Sequence, residues 1–275
     1  MQPFTNIEAL IIDMDGVLWH GEQPLPGLSA FFQVLRERQI PFILATNNAR
    51  LTPDQYVEKL AGMNVEVSQK EILTSGMATA LYLADKHNPD STRIFVIGEN
   101  GIRQPLQECG FTLADLYHRQ DSHNTAHARA DIVVSGLDIQ LTWDKLASAV
   151  YNIQAGARFV ATNGDTTLPT EHGYAPGNGA VLAALQAATG ATPIIIGKPE
   201  AIMYRQAMAL LGVRPEHTVA LGDRLDTDIL GAVRAGIRSV MVLTGVSSED
   251  ELEKVDYQPT WIMPDIQAVT EALKQ

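Results

Sequence analysis

Four short segments of the 275-residue chain carry side chains that could do chemistry together. Asp13-Met14-Asp15-Gly16 follows the apolar run Ala9–Ile12, and Thr46-Asn47-Asn48 follows Pro41–Ala45. Gly197-Lys198-Pro199 follows Ile194–Ile196, and Gly222-Asp223 follows Thr218–Leu221, with Asp226 and Asp228 close behind. Carboxylates held a few ångströms apart repel, and one keeps its proton unless a cation intervenes. Hard oxygen ligands with room for water suit Mg²⁺. A lysine and a hydroxyl beside that cation suit a dianionic phosphoryl group, whose charge spreads over its oxygens in the transition state. A carboxylate can also attack phosphorus itself, dividing hydrolysis into formation and breakdown of an acyl phosphate.

These residues need a scaffold that collects strand ends. The spacing predicts a helix over residues 28–38, with apolar residues at 28, 31, 32, 34 and 35, and a second from Pro53 to about Gly62, opened by Thr52-Pro53-Asp54. Short apolar runs alternating with such helices predict an α/β fold: a Rossmann-like, doubly wound parallel sheet with helices on both faces. Ligands then bind beyond the carboxyl ends of the strands, where all four segments lie. The middle of the chain reads as an insert with its own runs, Ile94–Ile97, Ile132–Val134 and Phe159–Thr162. Asn88–Ser91 reads as the linker into it and Gly190–Pro193 as the linker out, which predicts a split core of residues 1–90 and 194–275 around an insert of 91–193.

Composition narrows the partners. Twenty basic and 32 acidic side chains give a net charge of −12, which argues against a nucleic-acid polymer or an anionic membrane surface. Cys109 is the only cysteine, so no internal disulfide forms, and the N-terminal residues lack the pattern of a signal peptide. The expected setting is cytoplasmic.

Several features have plainer readings. Asp13-x-Asp15 is not a calcium loop, because Val17 and Pro24 stand where further ligands belong. Asp226 reads as a solvent-facing acid at a helix start. His118, His123 and His127 read as a solvated surface of the insert rather than a metal site. Gly177-Asn178-Gly179 lacks the third glycine of a dinucleotide fingerprint, and Cys109 reads as a small core residue.

Taken together, Asp13-Met14-Asp15-Gly16-Val17-Leu18-Trp19, Ala45-Thr46-Asn47-Asn48, Gly197-Lys198-Pro199 and Gly222-Asp223-Arg224-Leu225-Asp226-Thr227-Asp228 resemble the haloacid dehalogenase superfamily of phosphatases. The similarity is to the NagD-like, p-nitrophenylphosphatase branch, and it extends to Pro176–Gly179 and Leu243–Ser247. The resemblance implies an aspartyl-phosphate mechanism with Mg²⁺ as cofactor. Asp13 would be nucleophile and metal ligand. Asp15 would be general acid and then base, its backbone carbonyl also binding metal. Thr46, Asn47, Asn48 and Lys198 would hold the phosphoryl group, with Lys198 also neutralising Asp13. Asp223 would bind the metal and Asp228 would order its hydration shell.

The insert resembles the α/β cap of this branch, which selects the substrate. The loop from Asn163 to Gly173 is the candidate for those contacts, through Asp165, Thr167, Glu171 and His172. Leu168 stands where some relatives carry a histidine, a departure that weakens the case for pyridoxal phosphate. The expected partner is a small phosphorylated metabolite, with a homodimer through the insert as a further expectation. Two rival readings share the fold: a phosphomutase, and a catalytically silent protein that binds a phosphate ligand.

Overall fold

The protein is described from a computed structural model, which covers residues 4–117, 129–170 and 172–275. His118, His123, His127 and Glu171 lie outside the described residues. The chain forms two compact units. The first comprises residues 1–46, 53–73 and 198–275, and the second residues 47–52 and 74–197.

The first unit is built on a six-stranded sheet of β1 (Ala9–Ile12), β4 (Phe42–Thr46), β5 (Ile72–Thr74), β13 (Thr218–Gly222), β14 (Arg238–Val242) and β15 (Trp261–Met263). Its order is β15-β14-β13-β1-β4-β5, and β1 pairs in parallel with both β13 and β4. Every residue of β1, β4 and β13 is buried, as their unbroken apolar runs require for strands covered on both faces. A two-residue-stranded hairpin, β2 (Trp19–His20) and β3 (Gln23–Pro24), follows β1. The flanking helices are α1 (Leu28–Glu37), α2 (Pro53–Gly62), α7 (Ala201–Leu211), α8 (Leu230–Ala235) and α9 (Ile266–Lys274). α1 packs against α9, and α7 against α8. Both helices predicted from spacing are present, and α1 buries Leu28, Phe31, Phe32, Val34 and Leu35.

The second unit has its own parallel sheet, in the order β12-β9-β8-β6-β7. Its strands are β6 (Arg93–Ile97), β7 (Thr112–Leu113), β8 (Ile132–Ser135), β9 (Arg158–Ala161) and β12 (Ile194–Ile195). Around them lie α3 (Ser75–Lys86), α4 (Asn100–Glu108), α5 (Trp143–Gln154), α6 (Asn178–Thr189) and the hairpin β10 (Thr167–Thr170) with β11 (Gly173–Pro176). Phe95, Ile97, Val133, Ala149, Phe159, Val181, Leu182 and Leu185 belong to one core cluster between sheet and helices.

Four features depart from the sequence reading. Ile194 and Ile195 pair with β9, so this strand closes the second sheet instead of reopening the first. Residues 88–91 are not a linker: they form a 3₁₀ turn capped by the Asn88 side chain, between two elements of the second unit. The reason is α3, whose Gly76 lies so close to α4 that a Cβ there would sit 2.2 Å from the Gly101 carbonyl oxygen. Within the segment from Asn163 to Gly173, Thr167–Thr170 form the first strand of the β10–β11 hairpin, while residues 163–166 belong to no strand, as a loop reading expects. Cys109 is only partly buried, at the end of α4. Among the described residues no helix is long and apolar enough to cross a membrane.

Candidate active site

In the first unit, three carboxylates and one ammonium meet where β1, β4 and β13 end. Asp13 leaves β1 with its backbone N–H donating to Leu221 O at 2.8 Å, which ties it to the neighbouring strand. Lys198 is 3% exposed; its Nζ donates to Asp13, to Asp228 Oδ1 at 2.7 Å and to Ala45 O at 3.0 Å. One oxygen from each of Asp13, Asp223 and Asp228 lies within 4.8 Å of the others. Three carboxylates against one ammonium leave two negative charges in a buried space.

The titration behaviour follows from that crowding. Burial pushes the Asp13 carboxyl well above the usual carboxylate range; Lys198 opposes the shift, and Asp228 and Asp223 add to it. Burial works against the Lys198 ammonium, but Asp13 and Asp228 outweigh it and hold the lysine well above its ordinary value. Asp223 is pushed up to about 7, chiefly by burial and then by Asp228, against the N–H of Val246.

Asp223 fits a divalent cation on its own evidence. Its Oδ2 accepts the Val246 N–H at 2.7 Å, while its Oδ1 is buried without a hydrogen-bond partner. A buried carboxylate oxygen left in that state is costly unless a cation takes it. The backbone around it is cut to fit. A Cβ at Gly16 would sit 2.6 Å from Asp223 Oδ2, and one at Gly245 would sit 1.8 Å from the same atom. Gly16 also has φ +83°, a conformation that disfavours any side chain.

Asp228 is aimed by an unusual turn. Residues Leu225–Ile229 form one π-helical turn, in which the N–H groups of Asp228 and Ile229 both donate to Arg224 O, at 3.0 and 3.1 Å. The Arg224 N–H donates to Asp228 Oδ2 at 3.1 Å, leaving Oδ1 on Lys198. Hydroxyls from outside the turn hold its carbonyls: Tyr204 donates to Asp228 O at 3.0 Å, and Tyr257 to Leu225 O at 3.1 Å. Asp226 faces outward and pairs with Arg224, matching its reading as a surface acid.

Asp15 stands apart from the buried cluster. Its exposed carboxylate accepts the Trp19 indole N–H at 2.8 Å, and Lys59 lies 4.8 Å from the centroid of that indole ring. Thr46 is the buried last residue of β4.

The remaining candidates belong to the second unit. Asn47 O accepts from Ser75 Oγ at 2.6 Å and Asn163 Nδ2 at 2.9 Å, while Asn47 Nδ2 donates to Asp165 Oδ2 at 3.2 Å. Asn48 Oδ1 accepts the Arg50 N–H at 3.1 Å, closing a local turn. Asp165 thus meets Asn47, whereas Thr167 and His172 are exposed on or beside the hairpin.

Sequence reasoning assigned no role to Trp19, Tyr204 or Ser75, took Asn163 only as the start of the cap segment, and noted Leu243–Ser247 only as part of the resemblance. The bracing part of that last loop was findable: it follows the apolar run Ser239–Leu243 as the other segments follow theirs. Ser247 Oγ accepts the Leu225 N–H at 3.0 Å, and Thr244 Oγ1 donates to Gly16 O at 2.6 Å, so this fifth strand end braces two of the motifs.

Known proteins resemble this chain in sequence and in fold. A family model of haloacid dehalogenase-like hydrolases matches residues 10–112, and a second, HAD-hydrolase-like model matches residues 195–269. An acid sugar phosphatase of Staphylococcus haemolyticus is 35% identical over 98% of both chains. The 5'-nucleotidase YutF of Bacillus subtilis is 36% identical over 92% of this chain and 96% of its own. Among solved structures, a thermostable NPPase double mutant from Geobacillus stearothermophilus superposes with a TM-score of 0.85 at 36% identity, covering 95% of this chain and 97% of its own. NagD from E. coli superposes with a TM-score of 0.85 at 32% identity, covering 95% and 98%. The chain belongs to the haloacid dehalogenase-like hydrolases, and among them to the NagD-like phosphatases.

Proposed function

We propose that the protein is a Mg²⁺-dependent phosphatase of small phosphomonoesters that works through a phosphoryl group carried on Asp13. The observation behind this reading is the buried cluster of Asp13, Asp223 and Asp228 around Lys198, with Asp223 Oδ1 left without a hydrogen-bond partner. Asp13, Asp223 and the backbone carbonyl of Asp15 would hold the Mg²⁺, with Asp228 beside it. Once bound, the cation supplies positive charge that keeps Asp13 ionised and offsets the phosphoryl oxygens.

The chain's own residues then account for two half-reactions. An Asp13 carboxylate oxygen attacks phosphorus, the bond from phosphorus to the leaving oxygen breaks, and Asp15 delivers a proton to that oxygen. Asp15, now a carboxylate, takes a proton from water as the water attacks phosphorus; the Asp13–phosphorus bond breaks and inorganic phosphate leaves. Lys198 balances charge on Asp13 and on the transferring group, and the Thr46 hydroxyl and Asn47 amide donate to its oxygens. The indole of Trp19 orients Asp15 for both proton transfers.

Substrate choice is assigned to the second unit, with Thr167, Glu171 and His172 as the first residues to vary. The relatives' names make a sugar phosphate and a nucleoside monophosphate the first substrates to try. The test is phosphate release from a panel of phosphorylated metabolites, with Mg²⁺ and with chelator. Mg²⁺-dependent release into water supports the reading. Transfer only to a second sugar hydroxyl would favour a mutase, and binding without turnover a silent binding protein.

A further inference from the structure

We infer that Ser75, Asn163 and Asp165 are positioning residues that set Asn47 for phosphoryl binding, a step that rests on the function proposed above. An amide N–H is useful to a transferring phosphoryl group only if it points at the right place before the reaction begins. Asn47 is fixed at both ends of its other polar groups. Its carbonyl oxygen accepts two hydrogen bonds, from Ser75 Oγ at 2.6 Å and Asn163 Nδ2 at 2.9 Å. Its side-chain amide donates to both oxygens of Asp165, at 3.2 and 3.4 Å. The side-chain oxygen is confined too, since a Cβ at Gly197 would stand 2.5 Å from Asn47 Oδ1. Holding the carbonyl and the carboxamide fixes the Cα from which the N–H projects.

The holders are themselves held. Ser75 is fully buried at the start of α3, and Asn163, just beyond β9, is 5% exposed. Asn178 Nδ2 donates to Asn163 O at 2.7 Å and to Ser135 O at 3.2 Å, and Ser135 Oγ donates to Asn178 Oδ1 at 2.8 Å. The result is a buried polar chain from Ser135 through Asn178 and Asn163 to Asn47, all within the second unit. Buried amides and hydroxyls are costly unless paired, and networks of this kind rigidify what they touch. Asp165 also acquires a purpose. A carboxylate facing a phosphate dianion would repel it, but here it serves as acceptor for the Asn47 amide, so Asp165 acts through Asn47 rather than on substrate.

The experiment compares Ser75→Ala, Asn163→Ala, Asp165→Ala and Asp165→Asn with the unaltered enzyme. It measures kcat and KM for p-nitrophenyl phosphate, the inhibition constant of inorganic phosphate, and the melting temperature. Losing the hold on Asn47 should raise both KM and the phosphate inhibition constant about tenfold in the three alanine variants. Asp165→Asn keeps an acceptor oxygen and should recover most of the loss. Phosphate inhibition unchanged in Ser75→Ala and Asp165→Ala, with melting temperatures near that of the parent, would overturn the inference. So would equal loss in Asp165→Asn and Asp165→Ala. Asp13→Asn, assayed alongside, separates the two levels: if it is inactive, a negative result concerns positioning alone. Turnover surviving in Asp13→Asn would instead overturn the proposed function, and this inference with it.

Discussion

Lys198 and Asp228 form a buried ion pair at 2.7 Å, with side chains only 3% and 2% exposed, and the same ammonium also pairs with Asp13. Replacing Lys198 with methionine leaves two buried carboxylates without their cation. Breaking such a pair costs about 3–5 kcal/mol, and a preorganised charge on a transferring group is worth on the order of 10²–10³ in kcat. Lys198→Met should therefore lower both kcat and denaturant stability in metal-free protein, with Mg²⁺ restoring part of the stability. Chemical denaturation with and without Mg²⁺ checks this.

The metal-free protein should gain stability as pH falls from about 7, the value to which Asp223 is raised, toward the ordinary carboxylate range. Over that interval the folded carboxyl keeps its proton while the unfolded one has lost it, so raising the pH costs up to about 1.4 kcal/mol per unit for the group. Asp13, raised by burial, acts in the same direction. Melting curves in chelator between pH 5 and 7.5, on the order of the carboxylate-to-neutral range, should rise toward the acid end. With Mg²⁺ the trend should flatten, because the cation replaces the protons, and calorimetry should record proton release on binding.

Gly245→Ala places a methyl group where the Asp223 carboxylate now lies, since a Cβ there would be 1.8 Å from Oδ2. The variant should fold but need about tenfold more Mg²⁺ for half-maximal activity, an expectation in line with other changes to groups that orient metal ligands. Titration of activity against Mg²⁺ is the measurement.

Trp19→Phe removes the indole N–H that holds Asp15 at 2.8 Å and keeps most of the buried ring. Alkyl phosphates need a proton on the leaving oxygen, whereas p-nitrophenolate leaves readily without one. The loss of kcat should approach tenfold for an alkyl phosphate and be smaller for p-nitrophenyl phosphate, as expected when general-acid alignment is impaired. The ratio of the two rates reads this directly.

The sheet of the first unit was legible because strands buried on both faces leave unbroken apolar runs, as in Ala9–Ile12 and Phe42–Thr46. The same signal misled at Ile194–Ile195, since a short apolar run does not say which of two parallel sheets it joins. The boundary at Thr74 was illegible for a related reason: α3 belongs to the second unit through backbone contact at Gly76, and glycine contact leaves no pattern in hydrophobicity. Asp13 and Asp223 were placed together because each follows a strand of one parallel sheet, whereas Lys198 joined them through a strand assigned to the wrong sheet, and the roles of Lys198 and Asp228 rested on the resemblance. What holds them was harder to read. Tyr204 and Trp19 look like ordinary apolar core, and only their polar tips, at Asp228 O and Asp15 Oδ1, give them a further part. Asp165 was legible as a candidate, but not its partner Asn47, 118 residues away in sequence.

A phosphatase of the kind proposed passes the phosphoryl group through Asp13. The direct measurement is acid quench during turnover of a substrate labelled in its phosphoryl group, followed by mapping of the labelled peptide. Label is expected on the peptide containing Asp13, lost on chase with unlabelled substrate and absent from Asp13→Asn. Label on another residue, or full turnover by Asp13→Asn, would contradict it.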